Sequence, residues 1–128
     1  MPSNIIISRL LDWIAAAFAL ILTLIGLIAI ADPIHGSALF GMPVTAPGSL
    51  AWVRLTGVRD IALGLVLFAL LGMKQNRIAG ILLLICLIIP FVDVTTVYAQ
   101  TGWSIHILMH GGSIIFMAIV GLGLLRRK

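Results

Sequence analysis

Six ionisable side chains interrupt otherwise apolar stretches of this chain: Arg54, Arg59, Asp60, Asp93, His106 and His110. A buried carboxylate beside an imidazole can exchange a proton, and burial tunes such groups toward neutral pH. Asp93, His110 and Asp60 are therefore candidate acid–base groups acting on a lipophilic substrate. Asp93 and His110 would exchange the proton, and Asp60 would hold Arg59 or His110 in place. Arg59 offers a fork of N–H donors to an anionic or carbonyl group. Arg54, His106, Ser113 and Trp103 complete the candidate ligand-binding set. His106 and His110 stand four apart, which puts both imidazoles on one helical face. With Asp93 they would form a three-ligand site for zinc or another divalent metal, although that spacing alone is a weak signal. No metal and no other cofactor is assigned; in particular, two residues four apart on one helix cannot reach opposite faces of a haem. The same groups could relay protons or hold an ion in a small transporter. The plainest alternative is structural, with Arg59–Asp93 and Asp60–His110 pairs gluing helices together.

These groups must be carried by membrane-spanning helices. The chain has 128 residues, 62% hydrophobic and 9% charged, with a mean hydropathy of +1.25. A soluble domain is nearer 45–50% apolar and about 25% charged, so a soluble globular protein, a disordered chain and a disulfide scaffold are excluded. At about 20 apolar residues per crossing, there is room for four spans with short loops. They are expected at about 10–31, 50–73, 78–98 and 103–125, in a single domain over 1–128. Residues 32–50 form the one long loop, broken by Pro33, Pro43, Pro47, Gly36, Gly41 and Gly48. Ile34, Leu39, Phe40, Met42 and Val44 make it unusually apolar, so it is expected in the interface or folded back as a cap. The first apolar run is too long for a signal h-region of about 7–15 residues and is read as a span. No internal repeat supports a transporter built from inverted halves.

Orientation follows from the basic flanks. Arg9, Lys74, Arg77, Arg126, Arg127 and Lys128 lie at one end, and the 32–50 loop and the 99–102 turn carry no Lys or Arg. Both termini and the 74–77 turn are therefore expected in the cytoplasm, in a multi-pass protein of the inner membrane. Trp52, Tyr98 and Trp103 would form the outer aromatic belt, with Trp13 on the inner side. The net charge of +4 reads as a topology signal, not as a nucleic-acid surface. The expected partners are the lipid bilayer, a lipophilic small molecule and, in so small a bundle, a second copy of the chain. Asp12 is expected to pair with Arg9 or the basic C-terminus, and His35 to be a loop residue. Cys86 has no second cysteine to pair with.

Helical rise places Arg59 and Asp60 about 12–15 Å below the outer end of their span, Asp93 about 8–9 Å and His110 about 10–12 Å. All fall in the outer half. Periodicity makes one stripe of Trp103, His106, His110, Ser113 and Met117, and another of Cys86, Pro90, Asp93, Val97 and Gln100. Gly57, Asp60 and Gly64 share a face with small neighbours, which permits close helix approach. Asp12, Ala16, Ala19, Thr23 and Gly26 make a similar weakly polar stripe on the first span. An outward-opening polar pocket in an all-α, four-helix bundle is the economical reading. Arg54 points away from Arg59 and Asp60 and can snorkel to the headgroups. Pro90 cannot donate to the carbonyl of Cys86, so a kink with that carbonyl unpaired is expected one turn before Asp93.

The stretch Arg54-Leu-Thr-Gly57-Val-Arg59-Asp60-Ile-Ala-Leu-Gly64, preceded by a Pro/Gly loop, resembles a signature of small four-helix membrane proteins known only as a domain of unknown function. The overall plan from about residue 10 is similar to the DoxX-like group of small bacterial membrane proteins. The resemblance implies a four-helix fold and a role for Arg54, Arg59 and Asp60, which draws Arg54 back toward the site. It implies no established reaction.

Overall fold

The computed structural model describes residues 2–127. Lys128, one of the basic terminal residues, lies outside them. Among the described residues six helices follow one another: α1 (Pro2–Ala31), α2 (Pro33–Leu39), α3 (Pro47–Gly72), α4 (Asn76–Ile85), α5 (Ile88–Thr101) and α6 (Ile105–Leu125). Four segments are long and apolar enough to cross a membrane: Arg9–Ala31, Pro47–Gly72, Asn76–Thr101 and Ile105–Leu125. The chain is an all-helical, multi-pass membrane protein. Leu20, Leu24, Leu27, Leu65, Ile85, Ile115 and Ile119 are exposed on the outside of the bundle, where acyl chains would cover them.

The third span is the divided one. Pro90 offers no N–H to the carbonyl of Cys86, so the α-helical ladder fails there. The carbonyl is not left unpaired as expected: it accepts the Ile89 N–H at 3.0 Å. Tighter i→i+3 bonds, this one and that from the Leu87 N–H to the Leu84 carbonyl at 3.4 Å, thus bridge the break and separate α4 from α5. The long loop also differs from its expectation, since Pro33–Leu39 forms the short helix α2, with the Asp32 carboxylate accepting the His35 N–H as its N-cap. Proline at the first helical position suits this start.

The spans pack as two close pairs. In the first, α1 lies on α3. A Cβ placed on Gly26 would stand 2.5 Å from the Gly57 carbonyl oxygen, and one placed on Gly57 would stand 2.6 Å from that of Gly26. In the second, α4 lies on α6, where a Cβ on Gly80 would stand 2.6 Å from both the Gly121 carbonyl oxygen and the Leu125 nitrogen. Small residues let backbones meet where no hydrophobic force separates helix from lipid.

The two pairs meet in a core of Ala15, Ala19, Leu67, Ala79, Leu83, Met117, Val120 and Leu124. Phe18 and Phe116 close its upper side, with ring centroids 4.9 Å apart. All of these lie toward the end carrying the 73–75 turn and the C-terminus, here called the tail end. There Arg127 donates to the Asp12 carboxylate, tying the last residues to the first span. The opposite end, below residues 32–46, is called the loop end. It is not filled by side chains, and it holds the ionisable groups.

Candidate functional site

α3 contributes Arg59 and Asp60. Consecutive residues on a helix point about 100° apart, yet the long guanidinium curls back to its neighbour. Nε of Arg59 donates to Asp60 Oδ1 at 3.0 Å, and Nη2 approaches the same oxygen at 3.0 Å. Asp60 is 4% exposed, and its charge is met by the adjacent residue on its own helix. Two of the five guanidinium N–H groups point at this one oxygen; the other three are not spent on Asp60.

α5 contributes Asp93 and α6 contributes His110. Asp93 Oδ2 stands 3.8 Å from His110 Nδ1, close enough for an ionic attraction and too long for a hydrogen bond. The other ring nitrogen, Nε2, donates to the Phe40 carbonyl at 3.2 Å. A carbonyl only accepts, so this contact requires the proton on Nε2. In the neutral ring Nδ1 is then the basic atom, and it is the atom that faces Asp93. The Phe40 ring stacks alongside His110 with a 9° interplanar angle.

One turn away, His106 Nδ1 donates to the Leu39 carbonyl at 3.2 Å. Two histidines on one face of α6 thus hold two consecutive carbonyls of one loop. Ser37 secures the loop from within: its hydroxyl donates to the Ile34 carbonyl at 2.7 Å and accepts the Val44 N–H at 3.1 Å. Gly41 makes the turn, with φ +81, and a Cβ there would lie 2.6 Å from Cβ of His106. The segment 37–44 is a cap folded onto α6.

Beneath and beside the cap are two cavities. One, of about 210 Å³, reaches between all four spans and is lined mostly by apolar groups, among them Phe18, Ile25, Leu63, Leu67 and Leu83, with Asp60, Cys86 and Ser113. The other, of about 340 Å³, lies between α3 and α5 under the cap, lined by Ser49, Trp52, Thr56, Thr96 and Val97. Phe40, Arg59, Asp93 and His110 line both.

Not every candidate from the sequence reaches these cavities. Trp103 is 79% exposed and meets Tyr98 edge-on, so it leaves the stripe it shares with His106 and His110 by register. It precedes the first residue of α6, where helical spacing no longer governs direction. Arg54 is exposed and lines neither cavity. Ser113 lines the inner cavity while its hydroxyl donates to the Met109 carbonyl at 3.0 Å. The cross-helix pairs Arg59–Asp93 and Asp60–His110 are replaced by Arg59–Asp60 and Asp93–His110. The triple of His106, His110 and Asp93 does not assemble as metal ligands: among the described residues no three such side chains converge, and each imidazole spends one nitrogen on a cap carbonyl. His35 lies in α2 and not in a loop as expected, with its ring 2.6 Å from the Asp32 carboxylate. The His35 backbone N–H and then its ring hold the Asp32 carboxyl below the usual carboxylate range.

The residues that sequence reasoning did not assign to the site are Phe40, Leu39, Ser37 and Gly41. Three of them act through main-chain atoms or a turn, which no side-chain pattern announces; the apolar character of a Pro/Gly loop was the available sign. No curated protein and no solved structure matches the chain. A family model does match, over residues 19–124, a range that includes both helix pairs, the cap and all the ionisable groups of the cavities. The chain therefore belongs to the family described as a domain of unknown function (DUF4267).

Proposed function

We propose that this protein binds a lipophilic small molecule inside the bundle, in the outer half of the inner membrane, and that Asp93 and His110 exchange a proton with it. One observation carries this reading: Arg59, Asp93 and His110, from three different spans, stand together on the wall of a cavity that is mostly apolar. Charged side chains within a bilayer cost about 2.5–3.5 kcal/mol each on insertion scales, and helix cohesion alone does not need them beside an unfilled space. Both termini face the cytoplasm in this proposal, as the basic flanks direct, and the cap closes the outer entrance. The likeness to DoxX-like proteins is one of plan and adds no reaction.

A structural or accessory role is the second reading, favoured by the Arg59–Asp60 pair, which is satisfied within one helix. Native mass spectrometry of the protein released gently from lipid separates the two and reports whether it dimerises. The binding reading expects a stoichiometric adduct that is lost in Asp93→Asn or His110→Gln. An apo spectrum, with the oligomeric state unchanged in both variants, would support the structural role. A divalent ion in place of an organic adduct would make the site a metal-linked one.

A further inference from the structure

The two cavities differ in character, and the residues dividing them differ in charge from the rest. The inner one is walled by Leu63, Leu67 and Phe18, whereas Ser49, Thr56 and Thr96 face the outer one. The space thus runs from apolar to polar across the partition of Phe40, Arg59, Asp93 and His110. The Arg59 charge is already met by Asp60. Asp93 has no comparable partner among the described residues: the nearest basic atom, His110 Nδ1, stands 3.8 Å away, too far for a hydrogen bond. Low-dielectric surroundings penalise an unbalanced charge. A cation brought in from outside would match this carboxylate.

Resting on the lipophilic-ligand reading, we infer that the ligand is a single-chain amphiphile with an amine head. Its chain occupies the inner cavity and its ammonium group sits at the partition against Asp93. The Phe40 ring offers an aromatic face to the same charge. A carboxylate head would instead set two negative groups side by side, and an alcohol would leave the Asp93 carboxylate unmatched. Head-group preference therefore follows from charge, and chain retention from the apolar walls.

The test is a competition among three probes with one chain: dodecylamine, dodecanol and dodecanoic acid, offered in equal amounts to the purified protein and read as adducts by native mass spectrometry. The expected order is amine, then alcohol, then acid, with the amine adduct exceeding the acid by about tenfold or more, the ratio that 1.4 kcal/mol produces. Asp93→Asn should abolish the amine preference while the alcohol is still retained. Leu63→Trp, which fills the inner cavity, should reduce all three adducts together. A preference for the acid or the alcohol, or equal retention of the three, would overturn the cationic head and leave the lipophilic site standing. Retention of none would overturn both readings. The wild-type competition decides the matter even if a variant fails to fold.

Discussion

On α6, ten residues separate two glycines with opposite surroundings. Gly121, toward the tail end, has its carbonyl oxygen 2.6 Å from where a Cβ of Gly80 would stand; Gly111, toward the loop end, has nothing within 4 Å of its own Cβ position. The same contrast runs through the bundle. Leu124, Ala79 and Leu67 are sealed at the tail end, whereas the loop end is hollow and its side chains reach for carbonyls and carboxylates. A four-span bundle has little apolar area to spare between its helices, because lipid competes equally for Leu and Ile. Close backbone seams at both levels, Gly26–Gly57 and Gly80–Gly121, and a filled core at the tail end supply cohesion that lets the loop end keep its cavities. Stability and binding are thereby assigned to different ends of the same helices.

The largest test of this division lies in the filled end. Leu124→Ala removes a side chain that is 0% exposed and lines neither cavity. Deleting so many buried methyl and methylene groups costs about 2–5 kcal/mol, so thermal unfolding in detergent should fall sharply while ligand retention by the folded fraction is unchanged. Loss of retention in that fraction would show the two ends to be coupled.

Next comes one substitution made at both ends. Gly80→Ala places a methyl group 2.6 Å from two backbone atoms of α6, and overpacking of this kind costs about 1–3 kcal/mol. Gly111→Ala meets open space and replaces a mid-helix glycine, a gain of about 0.5–1 kcal/mol. The two variants should move the melting midpoint in opposite directions. If both lower it, the outer face of α6 around Gly111 is more tightly packed than described.

Gly41→Ala addresses the cap. An alanine at φ +81 is strained by about 1–2 kcal/mol, and its methyl group collides with His106. Hydrogen exchange should rise at Met42 and Val44, whose N–H groups bond Ser37, with little change in α4 or the lower half of α6. Unchanged exchange at Met42 and Val44 would mean that the cap does not depend on this turn.

Much of this division is legible in the residues, and the reasons for the remainder are physical. Apolar runs parted by Pro/Gly segments specify four spans, and helical register brings Gly57 and Gly64 onto the face that meets α1. Register also brings Asp93 and His110 to one level. For Arg59 register leaves the choice open: Asp60 is expected to hold Arg59 or His110, and the length of the arginine, which lets it turn back along its own helix, decides for Arg59. Register fails for Trp103, which lies before the helix begins. The cap leaves the least trace: His106 and His110 find their partners in carbonyl oxygens, which every residue possesses. The close contact of Gly80 with α6 is similarly silent, since a lone glycine among leucines does not say which backbone it touches.

The smallest expected effect concerns the exposed entrance to the cap. Asp32 accepts the His35 N–H and pairs with its ring, and its carboxyl titrates below the usual range for that reason. A carboxyl lowered in the folded state stabilises that state fully above its unfolded value of 3.8, and the contribution is lost as pH falls through the lowered value. The start of α2 should therefore keep its protection from neutral pH down to the ordinary carboxylate range and lose it below. Asp32→Asn keeps an oxygen for that N–H and removes the charge; it should abolish the acid dependence of exchange at His35 while leaving its neutral-pH protection nearly intact. If acid instead loosened Gly41–Val44 first, the cap would be governed by His106 and His110 at its far end, and the entrance and the site would titrate as one unit.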